Sequence, residues 1–171
     1  MAALTRAVFL DRDGTLNRAA APGDYVRSPE QVELLAGAAH AVGMLRRAGY
    51  LCVVVSNQRG VALGLMTEDD LAGVDARVQE LIGGLDASYY CIHAIGDECD
   101  CRKPEPGLLL RAAEELGINL EQSWMVGDSA TDMEAGLAAG CRTLRVQPVD
   151  LALLDAAQTI LATPSIERQA A

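Results

Sequence analysis

What most constrains this chain is an alternation that runs nearly its whole length. Apolar runs of four to seven residues are followed repeatedly by segments of helical period. AVFL (7–10), LCVVVS (51–56), SYYCIHA (88–94), SWMVG (123–127) and RTLRV (142–146) read as strands. Segments 37–49, 67–85, 105–117 and 129–140 read as helices. Thr67 followed by acidic residues is a helix start, and Gly49, Gly117 and Gly140 are helix stops. Strands that are almost continuously apolar belong in a parallel sheet with both faces covered. The expected fold class is therefore α/β, a three-layer doubly wound parallel sheet. Residues 17–36 lack a period and are expected to form a flap, as a loop or small hairpin over one end of the sheet. The tail from about 164 to 171 reads as frayed, and 1–171 reads as a single domain.

The charge balance narrows the partners. With 24 Asp and Glu against 14 Lys and Arg, the formal charge is −10. Such a body repels nucleic acid and anionic membrane surfaces, and no basic stripe offsets it. The first residues reach charged positions too soon for a signal peptide, and no window approaches a membrane span. A cytoplasmic protein, with a monomer as the default state, is the expectation. Five cysteines in a reducing compartment argue against a disulfide framework.

In open α/β sheets, ligands bind beyond the carboxyl ends of the strands. Behind the first run stands DRDGTLN with Asp11 and Asp13, and behind the second SNQRG with Ser56 and Asn57. The third is followed by a cysteine cluster and Lys103, the fourth by GDSATD with Asp128 and Asp132. Carboxylates gathered with a hydroxyl and an ammonium suit a phosphate and a divalent metal. In that chemistry Asp11 attacks phosphorus and Asp13 handles the proton of the leaving oxygen. Plainer readings exist for each piece: a tight turn at Gly14, helix caps at Asp128 and Asp132, a strand-end hydroxyl at Ser56, a solvated lysine at Lys103.

Taken in order, these four segments resemble the motifs of the haloacid dehalogenase superfamily of phosphatases, over roughly residues 7 to 146. The resemblance implies a Rossmann-like fold with a minimal cap and an aspartyl-phosphate formed on Asp11. Asp13 is implied as general acid and base. Ser56, the backbone of Asn57, and Lys103 are implied to hold the phosphate. Mg²⁺ is implied on the Asp11 carboxylate, the Asp13 main-chain carbonyl and Asp128, with Asp132 behind them orienting Lys103 or a metal-bound water.

The stretch CIHAIGDECDCRKP places Cys91, His93, Cys99 and Cys101 within eleven positions, just before Lys103. Three thiolates and an imidazole make a complete tetrahedral set for structural Zn²⁺. The competing reading is a set of unrelated thiols; a redox pair is disfavoured, since no CxxC is present. A zinc-bound loop would fix the approach of Lys103 to the phosphate. Cys52 and Cys141 read as small buried apolar residues.

Within the superfamily the cysteine loop is similar to that of two groups of sugar- and amino-alcohol-phosphate phosphatases. Its short spacing and DECDCRKP resemble histidinol-phosphate phosphatases. SNQRGVALGLMTEDD, DYVRSPEQVELLAGA and CRKPEPGLLL resemble phosphatases that remove the 7-phosphate of D-glycero-D-manno-heptose 1,7-bisphosphate. The second set spans more of the chain, so a sugar phosphate is the expected substrate and histidinol phosphate the alternative. Arg59 and Arg102 are candidates for the second anionic end of a bisphosphate. One position departs: where the heptose group has an arginine after GVA, this chain has Leu63. A non-catalytic zinc-binding interaction module is the remaining alternative, and it leaves the four motifs without a purpose.

Overall fold

The structure is a computed structural model describing residues 4–164. Five strands form one sheet: β1 (Ala7–Leu10), β2 (Leu51–Asn57), β3 (Ala87–Cys91), β4 (Trp124–Gly127) and β5 (Arg142–Arg145). All neighbours pair in parallel, in the order β3-β2-β1-β4-β5. The chain builds outward from β1 to β3, then crosses back to place β4 on the other side of β1. The topological switch point thus lies between β1 and β4, where an open sheet parts its loops and makes room for a ligand.

Helices α1 (Ala38–Arg47), α2 (Glu68–Ile82), α3 (Gly107–Leu116), α4 (Ala130–Ala138) and α5 (Ala152–Ala162) cover both faces. Side chains alternate faces along each strand. Val8, Leu10, Cys52, Val54, Trp124 and Val126 pack on one side with residues of α1, α2 and α5. Ala7, Phe9, Val53, Val55 and Met125 pack on the other with residues of α3 and α4. The central strands β1, β2 and β4 are buried almost throughout, which is why their sequences read as unbroken apolar runs. Cys52 and Cys141 are buried in these two cores, as their small apolar character implied.

Two differences from the sequence reading have physical causes. α5 was not anticipated: its start at Leu151 lacks a capping side chain, and its sequence is apolar over much of its surface. Tertiary packing makes it a helix, with Leu153, Ala156, Ala157 and Ile160 buried against the core that α1 shares. β3 ends at Cys91, not at 94, because the Cys91 carbonyl accepts from Gln58 N at 2.7 Å and the chain then leaves the sheet. Residues 17–36 are pinned at their base like a hairpin: Leu35 N donates to Leu16 O at 3.0 Å and Arg18 N to Glu33 O at 2.8 Å. The tail expected to fray, from about 164 to 171, lies almost wholly outside the described residues. Among the described residues, no helix is long and apolar enough to cross a membrane.

Candidate active site

Asp11 is the first residue beyond β1, and its N–H donates to Val126 O on β4 at 3.0 Å. That bond places its carboxylate at the switch point. Ser56 and Asn57 close β2, Asp128 follows β4, and Asp132 lies in the first turn of α4. Asp11, Asp13, Ser56, Asn57, Lys103, Asp128 and Asp132, together with Ser129 and Thr131, line one cavity of about 110 Å³. Two glycines make the crowding possible. A Cβ at Gly14 would run into the Asp128 carboxylate, and one at Gly127 into that of Asp132.

Lys103 is the centre of the charge pattern. Its Nζ lies 2.8 Å from Asp11 Oδ1, 2.6 Å from Asp132 Oδ1 and 2.7 Å from the Val55 carbonyl it donates to. Burial would lower its pKa, but the two carboxylates outweigh burial and raise it, so it stays an ammonium. Burial pushes the Asp11 pKa up to about 6; Lys103 opposes this, while Asp132 and Asp13 add to it. Asp128 is likewise raised, by burial and then by Asp132.

Asp132 has both oxygens engaged. Oδ1 meets Lys103, while Oδ2 accepts from Ser129 N at 3.0 Å and Ser129 Oγ at 2.6 Å, closing a capping box at the start of α4. One carboxylate therefore both starts a helix and steers the lysine.

Asp13 is held by three side chains absent from the sequence reading. Arg12, fully buried, donates to it from Nε at 3.1 Å and from Nη2 at 2.9 Å. Asn17 Nδ2 donates at 2.9 Å and Gln58 Nε2 at 2.8 Å. Arg12 was legible in principle: an arginine two residues beyond a buried strand needs a carboxylate beside it. Asn17 and Gln58 carried no such signal. Asn57 also does something its position did not announce. Its side chain donates to Lys103 O and accepts from Lys103 N, both at 3.0 Å, and so holds the lysine's backbone.

Arg59 and Arg102 do not line the cavity. Arg59 Nε donates to the Tyr25 hydroxyl at 3.1 Å, joining the loop after β2 to the 17–36 flap. Arg102 Nη1 donates to His93 O at 3.3 Å.

Cys91, His93, Cys99 and Cys101 converge, with one ligand atom from each lying within 4.8 Å of every other. His93 Nδ1 is 3.4 Å from Cys91 Sγ and 3.2 Å from Cys101 Sγ, and Cys91 and Cys99 Sγ are 4.0 Å apart. A tetrahedral zinc site implies donor spacings of roughly 3.5–3.8 Å, so the four side chains fit such an ion. Burial, then Cys91 and Cys99, push the Cys101 thiol up, so the set needs a cation to ionise together.

The carboxylates pass a similar test for a divalent cation. Oxygens of Asp11, Asp128 and Asp132 lie within 4.8 Å of one another. Among the described residues, the four carboxylates (Asp11, Asp13, Asp128, Asp132) outnumber the cations beside them, Lys103, Arg12 and Arg145, a surplus of negative charge that would repel a phosphate. With Asp132 committed to Lys103 and its cap, Asp11 and Asp128 are the side chains available to a metal.

A family model described as HAD-hydrolase-like matches residues 100–148. Over 146 residues the chain is 40% identical to the D-glycero-beta-D-manno-heptose-1,7-bisphosphate 7-phosphatase of Pasteurella multocida, covering 80% of this chain and 78% of that one. It is 38% identical over 154 residues to the enzyme of that name from Escherichia coli K12, covering 84% and 79%. Among solved structures, the D,D-heptose 1,7-bisphosphate phosphatase of B. bronchiseptica, complexed with magnesium and phosphate, superposes with a TM-score of 0.83 at 29% identity. That match covers 91% of this chain and 98% of the other.

Proposed function

Since the chain belongs to the haloacid dehalogenase superfamily of hydrolases, in the family of the heptose-bisphosphate phosphatases, we propose that it removes the 7-phosphate of D-glycero-D-manno-heptose 1,7-bisphosphate. The observation that carries the reading is the meeting of Asp11, Lys103 and Asp132 beside Ser56, Asn57 and Asp128 at the switch point. The whole chain acts as one phosphatase domain in this reading.

In the proposed mechanism Lys103 and Ser56, with the backbone of Asn57, hold the phosphoryl oxygens over Asp11. An Asp11 carboxylate oxygen attacks phosphorus as the bond to the sugar O7 breaks, forming an aspartyl-phosphate. Asp13 gives its proton to the departing oxygen. It then takes a proton from the water that cleaves the aspartyl-phosphate, releasing inorganic phosphate. Mg²⁺, held by the Asp11 and Asp128 carboxylates and the Asp13 carbonyl, would neutralise charge on the phosphoryl group. Asp132 keeps Lys103 pointed at Asp11. Arg59 and Arg102, outside the cavity, are assigned to the distal phosphate; among the described residues each donates one side-chain hydrogen bond, to Tyr25 and to the His93 carbonyl.

Zn²⁺ at Cys91, His93, Cys99 and Cys101 would close the loop that delivers Lys103. That loop is tied at its two ends by Cys91 O to Gln58 N and by Lys103 to Asn57. A monomer in a reducing cytoplasm, which keeps these cysteines as thiols, belongs to the same proposal.

Phosphate release in Mg²⁺ tests the substrate. kcat/KM for the heptose bisphosphate, in its better anomer, is expected to exceed that for L-histidinol phosphate at least tenfold, about 1.4 kcal/mol of transition-state discrimination. The reverse ratio would show that Leu63 and the short cysteine loop mark the histidinol branch. Metal analysis tests the cluster: one zinc per chain is expected, and none in Cys99→Ser. That variant should lose about ten- to a hundredfold in activity through a misplaced Lys103. Full activity in a zinc-free protein would remove the ion from the proposal.

A further inference from the structure

We infer that Gln58 is a positioning residue that sets two catalytic groups at once, a step that rests on the acid–base reading of Asp13 above. Its side chain is fully buried, and a single nitrogen, Nε2, donates to Asp13 Oδ2 at 2.8 Å and to Ser56 Oγ at 3.0 Å. The amide nitrogen, not its oxygen, faces Asp13, both of whose oxygens also accept from Arg12. Both hydrogens of Nε2 are then spent, one on each neighbour.

The consequence falls on Ser56. Its oxygen receives a hydrogen from Gln58, so its own O–H hydrogen cannot point back along that bond. Ser56 lines the cavity, and the hydrogen is left to donate into it, where an anion is to be bound. Gln58 thus makes Ser56 a donor to phosphate while fixing one oxygen of Asp13. Arg12 shares that oxygen, its Nη2 donating to Asp13 Oδ2 at 2.9 Å, and holds Oδ1 through Nε together with Asn17 Nδ2.

Two further observations separate this role from packing. Gln58 Oε1 is buried with no hydrogen-bond partner among the described residues, which costs stability. The main chain is anchored apart from the side chain, through Gln58 N to Cys91 O at 2.7 Å. Replacing the amide by an apolar group of similar length should leave the backbone in place and remove only the two side-chain bonds.

The test uses leaving groups. An alkyl phosphate such as the heptose bisphosphate needs a proton delivered to its leaving oxygen, whereas 4-nitrophenyl phosphate leaves as a stable phenolate and needs little help. kcat/KM reports phosphoryl transfer to Asp11 for both and excludes the later hydrolysis. In Gln58→Met, kcat/KM for both esters is expected to fall as Ser56 loses its set orientation toward phosphate, and that for the alkyl ester about tenfold or more further, through Asp13. The thermal midpoint should be no lower than wild type, and inhibition by inorganic phosphate should weaken. Equal losses on both esters, or no loss on either, would overturn the inference. Asp13→Asn, measured in parallel, separates the premises. If it discriminates between the esters and Gln58→Met does not, only the inference fails; if it does not discriminate, the reading of Asp13 fails and the inference with it. Should Gln58→Met not fold, Gln58→Asn, too short to span both partners, carries the same readouts.

Discussion

Asp11→Asn is expected to abolish phosphatase activity, by about 10⁴-fold or more, while leaving the protein folded. An amide is too weak a nucleophile to form the acyl-phosphate, so no partial route through residue 11 remains. The fold should tolerate the change because the aspartate is poorly accommodated. Its pKa is pushed up to about 6, first by burial, so its ionised form is disfavoured by folding. The sign is that of a raised acid: the carboxyl costs nothing below its unfolded value near 3.8 and becomes a burden as pH rises through 6. Metal-free Asp11→Asn at pH 7.5 should therefore unfold at a midpoint no lower than wild type. In the wild type, kcat/KM should fall as pH drops through about 6, as the nucleophile takes up a proton. Added Mg²⁺ should move that limb to lower pH, because a cation competes with the proton for the same carboxylate. Measurable turnover in the asparagine variant would end the covalent reading.

Lys103→Met is expected to damage both activity and stability. The ammonium is buried and simultaneously paired with Asp11 and Asp132 at 2.8 and 2.6 Å. Without it, two carboxylates are left together in the interior. Removing one partner from a buried pair costs about 3–5 kcal/mol, which lowers the midpoint of a chain this size by about 10 °C. Activity should fall at least about 10³-fold, since phosphate loses its buried cation. The stability deficit should grow with pH: Asp11 rises further above its unfolded value, and the penalty is felt only once it ionises. Thermal unfolding at pH 5 and pH 8 with magnesium absent measures this. A deficit equal at both values would mean that Asp11 and Asp132 are not the cause. A methionine variant as stable as wild type would mean the lysine is not buried in solution.

The fold and the site differ in how far they could be read in advance. β1, β2 and β4 announced themselves because they are buried on both faces, so nearly every residue is apolar. α2 announced itself by a local device, since Thr67 and Asp70 cap it from within four residues. α5 did not, because its start carries no capping side chain and its helicity depends on burying Leu153 and Ile160 against a core assembled elsewhere. In the site, Asp11, Asp128 and the cysteine cluster stood out because their chemistry is unusual at the ends of apolar runs. Gln58 and Asn17 did not, since a neutral amide in a loop looks the same whether it is solvated or clasping a buried carboxylate.

Sequence alone therefore determined the α/β class, the strand ends that carry reactive groups, and the set of four soft ligands ahead of Lys103. These are properties of period, side-chain chemistry and spacing, all of them local. Only the tertiary structure decided that β4 sits beside β1, that Asp132 spends one oxygen on its helix and the other on Lys103, and that Arg12 and Gln58 converge on Asp13. It also decided that Arg59 and Arg102 stand outside the cavity, committed to Tyr25 and to the His93 carbonyl. The reason is distance along the chain. Lys103 meets Asp11 across 92 residues and Gln58 meets Asp13 across 45. A hydrogen bond specifies its partner only within about 3 Å, and folding the sheet is what brings such groups that close.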